Sequence, residues 1–235
     1  MIIRPRLSFW QMLLSRPGDV LHRIREPLVF FGLWSAVVVL LHDELPGILR
    51  GHAPGPYALI GIALSIFFSF RNNACYDRWW EGRCQWGHLV LSVRNFARQS
   101  KILDAPAPGE RARLLTLVIG FSYALVTHLR PGFPVANAQR WLSQAGQDAF
   151  MAAPNRPDAL LQIIGSRLST LREEGRLSDI SFQILDHTVQ QFALVQGACE
   201  RIRSSPVPFS YNHLLQMTAA IFLFALPFGF VDTLG

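Results

Sequence analysis

The chain has 235 residues; half are hydrophobic, only 16% are charged, and the mean hydropathy is +0.24. This composition is too apolar for an ordinary soluble domain and too polar for a protein wholly within lipid, so it indicates membrane helices joined to a substantial aqueous part. The net charge of +6 comes almost wholly from arginine, and because no basic run reaches five residues, nucleic acid is not an expected partner.

Three apolar segments are candidates for membrane helices. The uncharged run at 28–41 is shorter than the about 20 residues that a span takes, but its flanks can extend it. The runs at 53–70 and 204–231 are long enough, and the last is the strongest. No signal peptide is evident before the first segment.

The basic residues predict the orientation of these segments. Five precede the first segment, Arg50 alone lies between the first two, and sixteen lie within 71–203. Because positive charge is retained on the cytoplasmic side, we expect the N-terminus and 71–203 inside and the loop at 42–56 outside. A further apolar run at 114–127 would break this rule if it were inserted, so we expect a buried helix there, within the cytoplasmic part.

The second segment predicts an unusually long helix. Pro56 suits a first helical turn, and no proline follows until beyond Leu103. Such a helix would measure about 70 Å, against about 30 Å of hydrocarbon, so it should leave the membrane near Arg71 and continue into the cytoplasm.

Two ladders of side chains run along the membrane half of this helix. Small residues recur every four positions at Gly61, Ser65 and Ser69, a pattern that lets a neighbouring helix approach closely. One position further on, large apolar residues recur at Ile62, Ile66 and Phe70. These large residues either face lipid or core, or form stacked hydrophobic rings around an axis shared by several subunits, where a constriction can gate by dewetting. Periodicity alone leaves both interpretations open.

Charged and aromatic residues crowd together directly after the second apolar segment. This interface collar comprises Arg71, Asp77, Arg78, Trp79, Trp80, Glu81 and Arg83. Indoles and arginines can mark a membrane boundary. Asp77 and Glu81 would repel each other at a spacing of four unless arginines neutralise them, and Arg78 and Arg83 are near enough to do so. We therefore expect a buried polar network at the collar.

The region after the collar reads as a bundle of helices at 110–128, 137–152, 158–173 and 178–203, without strand-like alternation. Its histidines lack metal-ligand spacing, the three cysteines lack CxxC spacing, and no phosphate loop, nucleophile elbow or paired catalytic carboxylates occur. We expect no metal, no cofactor and no enzymatic activity.

Two long motifs resemble a known family. The stretch "FRNNACYDRWWEGRCQWG" at 70–87 resembles the signature that follows the second membrane helix of bestrophins, especially their bacterial homologues. The stretch "GACERIRSSPVPFSYNHLL" at 197–215 resembles the second signature of that family, and "IIRP" at 2–5 and "LPFGFVD" at 226–232 also agree. The resemblance covers essentially the whole chain.

The resemblance implies a homopentameric ion channel with one central pore. In that family the second membrane helix lines a narrow hydrophobic neck, and the three ring positions fall on Ile62, Ile66 and Phe70. A second constriction, at the cytoplasmic end of the pore, falls on Ile180. Ser178 is a candidate cap for the helix that follows. Asp179 either forms an acidic ring favouring cations or complements the helix dipole.

The resulting expectation is an all-α polytopic membrane protein of the cell inner (plasma) membrane, whose long pore-lining second helix continues into a cytoplasmic helical bundle. We divide the chain into 1–103 with the first two membrane helices, 104–208 as the cytoplasmic helical region, and 209–235 as the third membrane helix. The family's fourth membrane helix and tail would follow Gly235, and animal members bind calcium there, so no calcium site is expected within these residues.

The expected function is a channel for small monovalent ions, leaning towards cations such as sodium, with membrane lipids and copies of the same chain as partners. An apolar neck carries no charge preference, so selectivity must come from charges elsewhere along the pore. Anion (chloride) conduction is the alternative within the channel class. A non-conducting membrane scaffold or assembly subunit is the alternative outside it, since the fourth helix is missing, and a membrane-embedded enzyme is the least favoured.

Overall fold

The computed structural model describes residues 20–41, 44 and 54–234, and within them it contains helices and no strand, so the prediction of an all-α protein is confirmed. The motif at 2–5 and most of the expected outer loop at 42–56 lie outside the described residues. In chain order the helices are α1 Val20–Leu40, α2 Pro54–Gln99, a 3-10 turn Ser100–Leu103, α3 Glu110–Leu129, α4 Ala136–Gln139, α5 Gln144–Ala152, α6 Arg156–Glu173, α7 Asp179–Ser204 and α8 Phe209–Leu234.

Helix α2 is one continuous helix of 46 residues, as the sequence predicts. At 1.5 Å per residue it measures about 70 Å, more than twice the thickness of a hydrocarbon core. Its last expected turn, Ser100–Leu103, tightens into a 3-10 helix. The chain divides into two compact units, Met1–Asn72 with Pro208–Gly235 and Asn73–Val207, and α2 contributes to both.

The first unit is built from α1, the beginning of α2, and α8. The indole of Trp34 on α1 stacks on Phe224 of α8 with ring centroids 4.1 Å apart, and its Nε1 donates to the Phe224 carbonyl at 2.9 Å. Helix α8 also contacts α2, where the Tyr211 hydroxyl donates to the carbonyl of Phe67 at 3.2 Å. Ring stacking and side-chain bonds to backbone therefore link these helices, as is usual where lipid removes the hydrophobic drive for association.

Among the described residues, three helical stretches are long and apolar enough to cross a membrane: Gly55–Leu103, Glu110–Leu129 and Phe209–Val231. They differ in burial, since 39% of the apolar window of the Glu110–Leu129 stretch is buried, against 6% and 17% for the other two. The apolar face of α3 is therefore covered by protein, which confirms the prediction of a buried helix at 114–127.

The core of the second unit forms where α3, α6, α7 and the end of α2 meet. Phe192 of α7 lies between Phe96 and Phe121, with ring centroids 5.9 and 5.7 Å apart, and all three rings are fully buried. Leucines of the 3-10 turn, α3, α6 and α7 fill the remaining space, including Leu103, Leu114, Leu125, Leu160, Leu168, Leu171 and Leu185. Burying such side chains contributes about 1.5–3 kcal/mol each, so this core dominates the stability of the unit.

One helix expected from the sequence is wrong as a single element. The stretch at 137–152 breaks into α4 and α5, because Leu142 turns into the core against Gly120 of α3, where an added Cβ would lie 3.2 Å from Leu142 Cδ2. Ser143 then caps α5 by accepting from the amide of Gly146 at 3.4 Å. Ser143 thus starts a new helix where apolar content alone suggests continuity.

Candidate functional site

The large apolar ladder of α2 lies on an exposed face of the first unit. Ile62, Ile66 and Phe70 are 60%, 51% and 60% exposed, whereas Leu64 between them is only 4% exposed. Two residues along an α-helix correspond to about 200° of rotation, so the ladder lies away from the face that Leu64 buries. Within residues 20–41 and 54–234 these bulky side chains are left half or more exposed, so the fold leaves them available to lipid, to other subunits or to a shared axis.

The three members of the small-residue ladder do not share one environment in the structure. Gly61 faces α8, where an added Cβ would lie 3.3 Å from Cζ of Phe222. Ser65 and Ser69 are exposed and do not share this contact. The sequence reasoning missed a tighter approach at Gly229 of α8, where a Cβ would overlap the ring of Tyr57. A glycine within a strongly apolar helix was the available signal for it.

The aromatic residues of the collar are largely exposed along the second-unit part of α2. Trp79 and Trp80 form a row with Tyr76, which precedes them on the same helix, with neighbouring ring centroids 5.7 and 6.3 Å apart. The guanidinium of Arg83 lies over the Trp79 ring at 5.4 Å, a cation–π contact. Arg71, in the first unit, is half-buried, and Asp77 is exposed.

The charged residues of the collar have different partners from those expected. Arg78 donates to two carbonyls at the end of α7, Ile202 at 2.5 Å and Ser205, and Glu81 forms an ion pair with Arg201 of α7. The last carbonyls of a helix lack intrahelical donors, and the guanidinium fork can satisfy two of them. The collar network therefore joins α2 to α7 instead of closing within α2.

Ile180 and Asp179 lie at the start of α7, and both are exposed. Ser178 is the N-cap, as predicted, and its hydroxyl accepts from the amide of Ser181 at 3.2 Å. Asp179 is in the first turn, where its charge complements the helix dipole. Its carboxylate also accepts from Nε of Arg172 at 2.5 Å, and Arg172 lies at the end of α6.

Arg172 is a residue that the sequence reasoning missed. Its guanidinium also lies 5.4 Å from the Phe182 ring centre, so one side chain contacts two residues of the first turns of α7. No periodicity joins Arg172 to Asp179, because a turn with Gly175 at φ 69° separates their helices. The oppositely charged pair within seven residues was the only available signal.

One partly buried ion pair links two helices of the second unit. Arg167 of α6 donates from Nε and Nη2 to the two carboxylate oxygens of Glu110 at 2.7 and 2.6 Å. This side-chain hydrogen bonding holds the pKa of the Glu110 carboxyl below its usual value, although burial opposes the shift. The pair links the start of α3 to α6, and its role is structural.

No group of three or more His, Cys, Asp or Glu among the described residues is arranged to hold a metal ion. Burial raises the pKa of the Cys199 thiol, so this cysteine of α7 is a neutral core residue and not a reactive thiolate. The charged contacts described above are ion pairs, helix caps and cation–π contacts. What distinguishes the chain chemically is its exposed apolar and aromatic surface.

Comparison with known proteins places this architecture. The family model described as Bacterial/Fungal Bestrophin protein matches residues 1–235. The chain is 36% identical to a voltage-dependent anion channel-forming protein of Mesorhizobium japonicum, covering all of this chain and 75% of that protein. It is 31% identical to the similarly named YneE of Escherichia coli strain K12, covering 98% of this chain and 76% of that protein.

The fold agrees with solved structures as well. Two point variants of a bacterial bestrophin homologue from Klebsiella pneumoniae superpose with TM-scores of 0.83 each, at 31% and 33% identity. The matches cover 90% and 92% of this chain and 79% of each of those chains. Members of the matched family are membrane ion channels and not enzymes. The match of the family model over the whole chain shows that this chain belongs to the bestrophin family, in its bacterial and fungal branch.

Proposed function

We propose that this chain forms a homopentameric channel that passes small monovalent ions through a central pore with a hydrophobic neck. The observation that carries this proposal is the ladder of Ile62, Ile66 and Phe70, which is exposed in the single chain although its residues are large and apolar. Five copies that turn this face towards a common axis would stack three apolar rings. Such rings impose a dehydration barrier on ions and can gate by dewetting.

The proposed membrane orientation follows the basic residues. Sixteen of the 22 lie within 71–203 and five precede the first apolar segment. The N-terminus and the helical second unit would therefore be cytoplasmic, in a cell inner membrane. The apolar outer surfaces of α1 and α8 would contact lipid, and the collar indoles, which are half or more exposed, would pack against neighbouring subunits or lie at headgroup level.

The proposed selectivity is for cations. Apolar rings attract neither sign of charge, so the preference would arise at Ile180 and Asp179, the proposed cytoplasmic constriction. Ile180 is 73% exposed at the start of α7, where it can narrow an aqueous path, and Asp179 supplies a negative charge beside it. A ring of such carboxylates would concentrate cations there.

Anion conduction is the second candidate. It is favoured by the names of the relatives from Mesorhizobium japonicum and Escherichia coli, which describe anion channel-forming proteins. It is also favoured by Arg172, which neutralises Asp179 in part.

Flux measurements on reconstituted protein test the proposal. The detergent-solubilised particle should have a protein mass close to five times the 26.5 kDa of the chain. In proteoliposomes with unequal sodium chloride inside and outside, the reversal potential should have the sign of a cation-selective current. The opposite sign would establish the anion candidate. An absence of flux from a correctly sized pentamer would refute the channel proposal and leave the non-conducting scaffold.

A further inference from the structure

We propose that Arg172 is a specificity-determining residue, which sets the balance between cations and anions by neutralising Asp179 at the cytoplasmic constriction. This inference rests on the proposed function, which assigns Asp179 and Ile180 to that constriction. It goes further by making the charge there a property of a pair of residues and not of the aspartate alone.

The geometry of the pair is specific. Arg172 closes α6, Asp179 opens α7, and Nε of the arginine donates to Oδ1 of the aspartate at 2.5 Å. The guanidinium also lies over the ring of Phe182, one turn further along α7, at 5.4 Å from the ring centre. Two contacts on the same helix end thus hold the arginine over the carboxylate, whereas a free surface arginine would sample many rotamers.

The pair remains in contact with water. The side chains of Arg172 and Asp179 are 51% and 79% exposed, and Ile180 beside them is also exposed. Exposed charges add little to folding stability, but they act on ions that pass within about 8 Å, the screening length at physiological salt. A charge change here should therefore alter permeation more than stability.

The charge balance of the turn gives the direction of the effect. Between 172 and 179 the chain has two arginines, at 172 and 176, and three acids, at 173, 174 and 179. Arg176 pairs with Glu174 of the same turn at 3.3 Å, and its Nε donates to the carbonyl of Pro106 at 3.1 Å, so Arg172 is the arginine that pairs with Asp179. The turn carries one net negative charge in each subunit. Removing Arg172 raises this to two, and removing the charge of Asp179 lowers it to zero.

A double-mutant cycle of charge-neutralising variants on the reconstituted channel tests the inference. The variants Arg172→Gln, Asp179→Asn and the double variant are compared with the parent chain by reversal potential under a sodium chloride gradient. Arg172→Gln should raise the sodium-to-chloride permeability ratio about twofold or more, because one unit charge per subunit is uncovered within a screening length of the path. Asp179→Asn should lower it, and the double variant should return close to the parent value.

Two controls separate charge from packing and from position. Arg172→Lys keeps the charge but changes the guanidinium contacts, and it should leave the ratio close to the parent value. Arg130→Gln removes the same charge from an exposed position after α3, about 30 Å along that helix from Glu110, and should leave the ratio unchanged. If Arg172→Gln does not assemble, Asp179→Asn against Arg130→Gln still tests the direction.

The outcomes are distinct. Opposite shifts in the two single variants, with restoration in the double variant, support the inference. A conducting parent whose ratio is the same in every variant overturns the inference and leaves the channel proposal intact. A parent chain that assembles but carries no current overturns the proposed function itself. Equal shifts for Arg172→Gln and Arg130→Gln would show a general effect of net charge and would also overturn the inference.

Discussion

Arg167 of α6 donates two parallel hydrogen bonds to Glu110 of α3, with both nitrogen–oxygen distances at or below 2.7 Å. The two side chains are 22% and 13% exposed. Bidentate geometry and partial burial make this pair unlike the exposed ion pairs of the same unit. It connects the first turn of α3 to α6, and both helices contribute buried leucines to the core.

The first prediction concerns the pH dependence of stability. Because the pKa of Glu110 is lower in the folded state than its ordinary value of 4.5, the pair stabilises the fold above that value. This contribution is lost as the pH falls from about 4.5 through the lower folded-state pKa. Glu110→Gln should therefore lower the unfolding free energy at pH 7 by about 1.5–3 kcal/mol and reduce the loss of stability on acidification.

Thermal unfolding in detergent at pH 7 and at pH 4 measures this effect. Asp104→Asn is the matched control, since its carboxylate pairs with Arg111 at 3.2 Å but is more than half exposed. That control should change the unfolding free energy at pH 7 by about 1 kcal/mol or less. Equal losses at pH 7 for the two variants would contradict the structural role assigned to Glu110.

The second prediction concerns the cap that Arg78 places on α7. Arg78→Lys keeps the charge but cannot reach the carbonyls of Ile202 and Ser205 with one planar group, so it should loosen the last turn of α7. A loss of about 1–3 kcal/mol is expected for charged hydrogen bonds to backbone. Limited trypsin digestion reads the local effect, because cleavage after Arg201 and Arg203 should accelerate. Arg83→Lys, which changes only the stacking on Trp79, should leave these cleavage rates unchanged.

The partners of the collar charges could not be predicted from the sequence, although several elements of the fold could. The length of α2, the buried α3 and the capped start of α7 follow from proline placement, apolar runs and a serine before an aspartate, which are all local signals. The partners of Arg78 and Glu81 lie more than 110 residues away along the chain, so no local spacing indicates them. Spacing along α2 made Arg78 and Arg83 the expected partners of Asp77 and Glu81, whereas packing against α7 provides partners for Arg78 and Glu81.

The same limit explains the break between α4 and α5 and the omission of Arg172. Leu142 can be buried because Gly120 has no side chain to fill that space. The pairing of Arg172 with Asp179 depends on the tight turn that connects α6 to α7. The ladder on α2 shows the opposite case. Its members are identified by spacing alone, because residues four apart share a helix face whatever that helix packs against. Its role at the pore stays a prediction.

The third prediction concerns the close approach of α2 and α8 in the first unit. Gly229→Ala places a methyl group inside the ring of Tyr57, so the helices must separate and stability should fall by about 1–3 kcal/mol. Gly165→Ala on α6 is the control, since nothing lies within 4 Å of an added Cβ there. That change should be neutral or stabilise by about 0.5–1 kcal/mol, as for an exposed helix interior. Thermal unfolding compares the two, and Tyr57→Ala combined with Gly229→Ala should recover part of the loss.

The last prediction concerns the ladder of Ile62, Ile66 and Phe70 and belongs to the proposed function. Replacing any of the three by alanine removes most of a side chain from the proposed neck. Single-channel conductance should then rise several-fold, because a wider ring holds water and lowers the dehydration barrier. Ile60→Ala and Phe68→Ala are the matched controls. Both are exposed residues of α2 two positions before a ladder residue, about 200° around the helix, and they should leave conductance unchanged. Planar-bilayer recordings decide between the two faces, since a rise in the controls without one in the ladder variants would place the pore on the opposite side of α2.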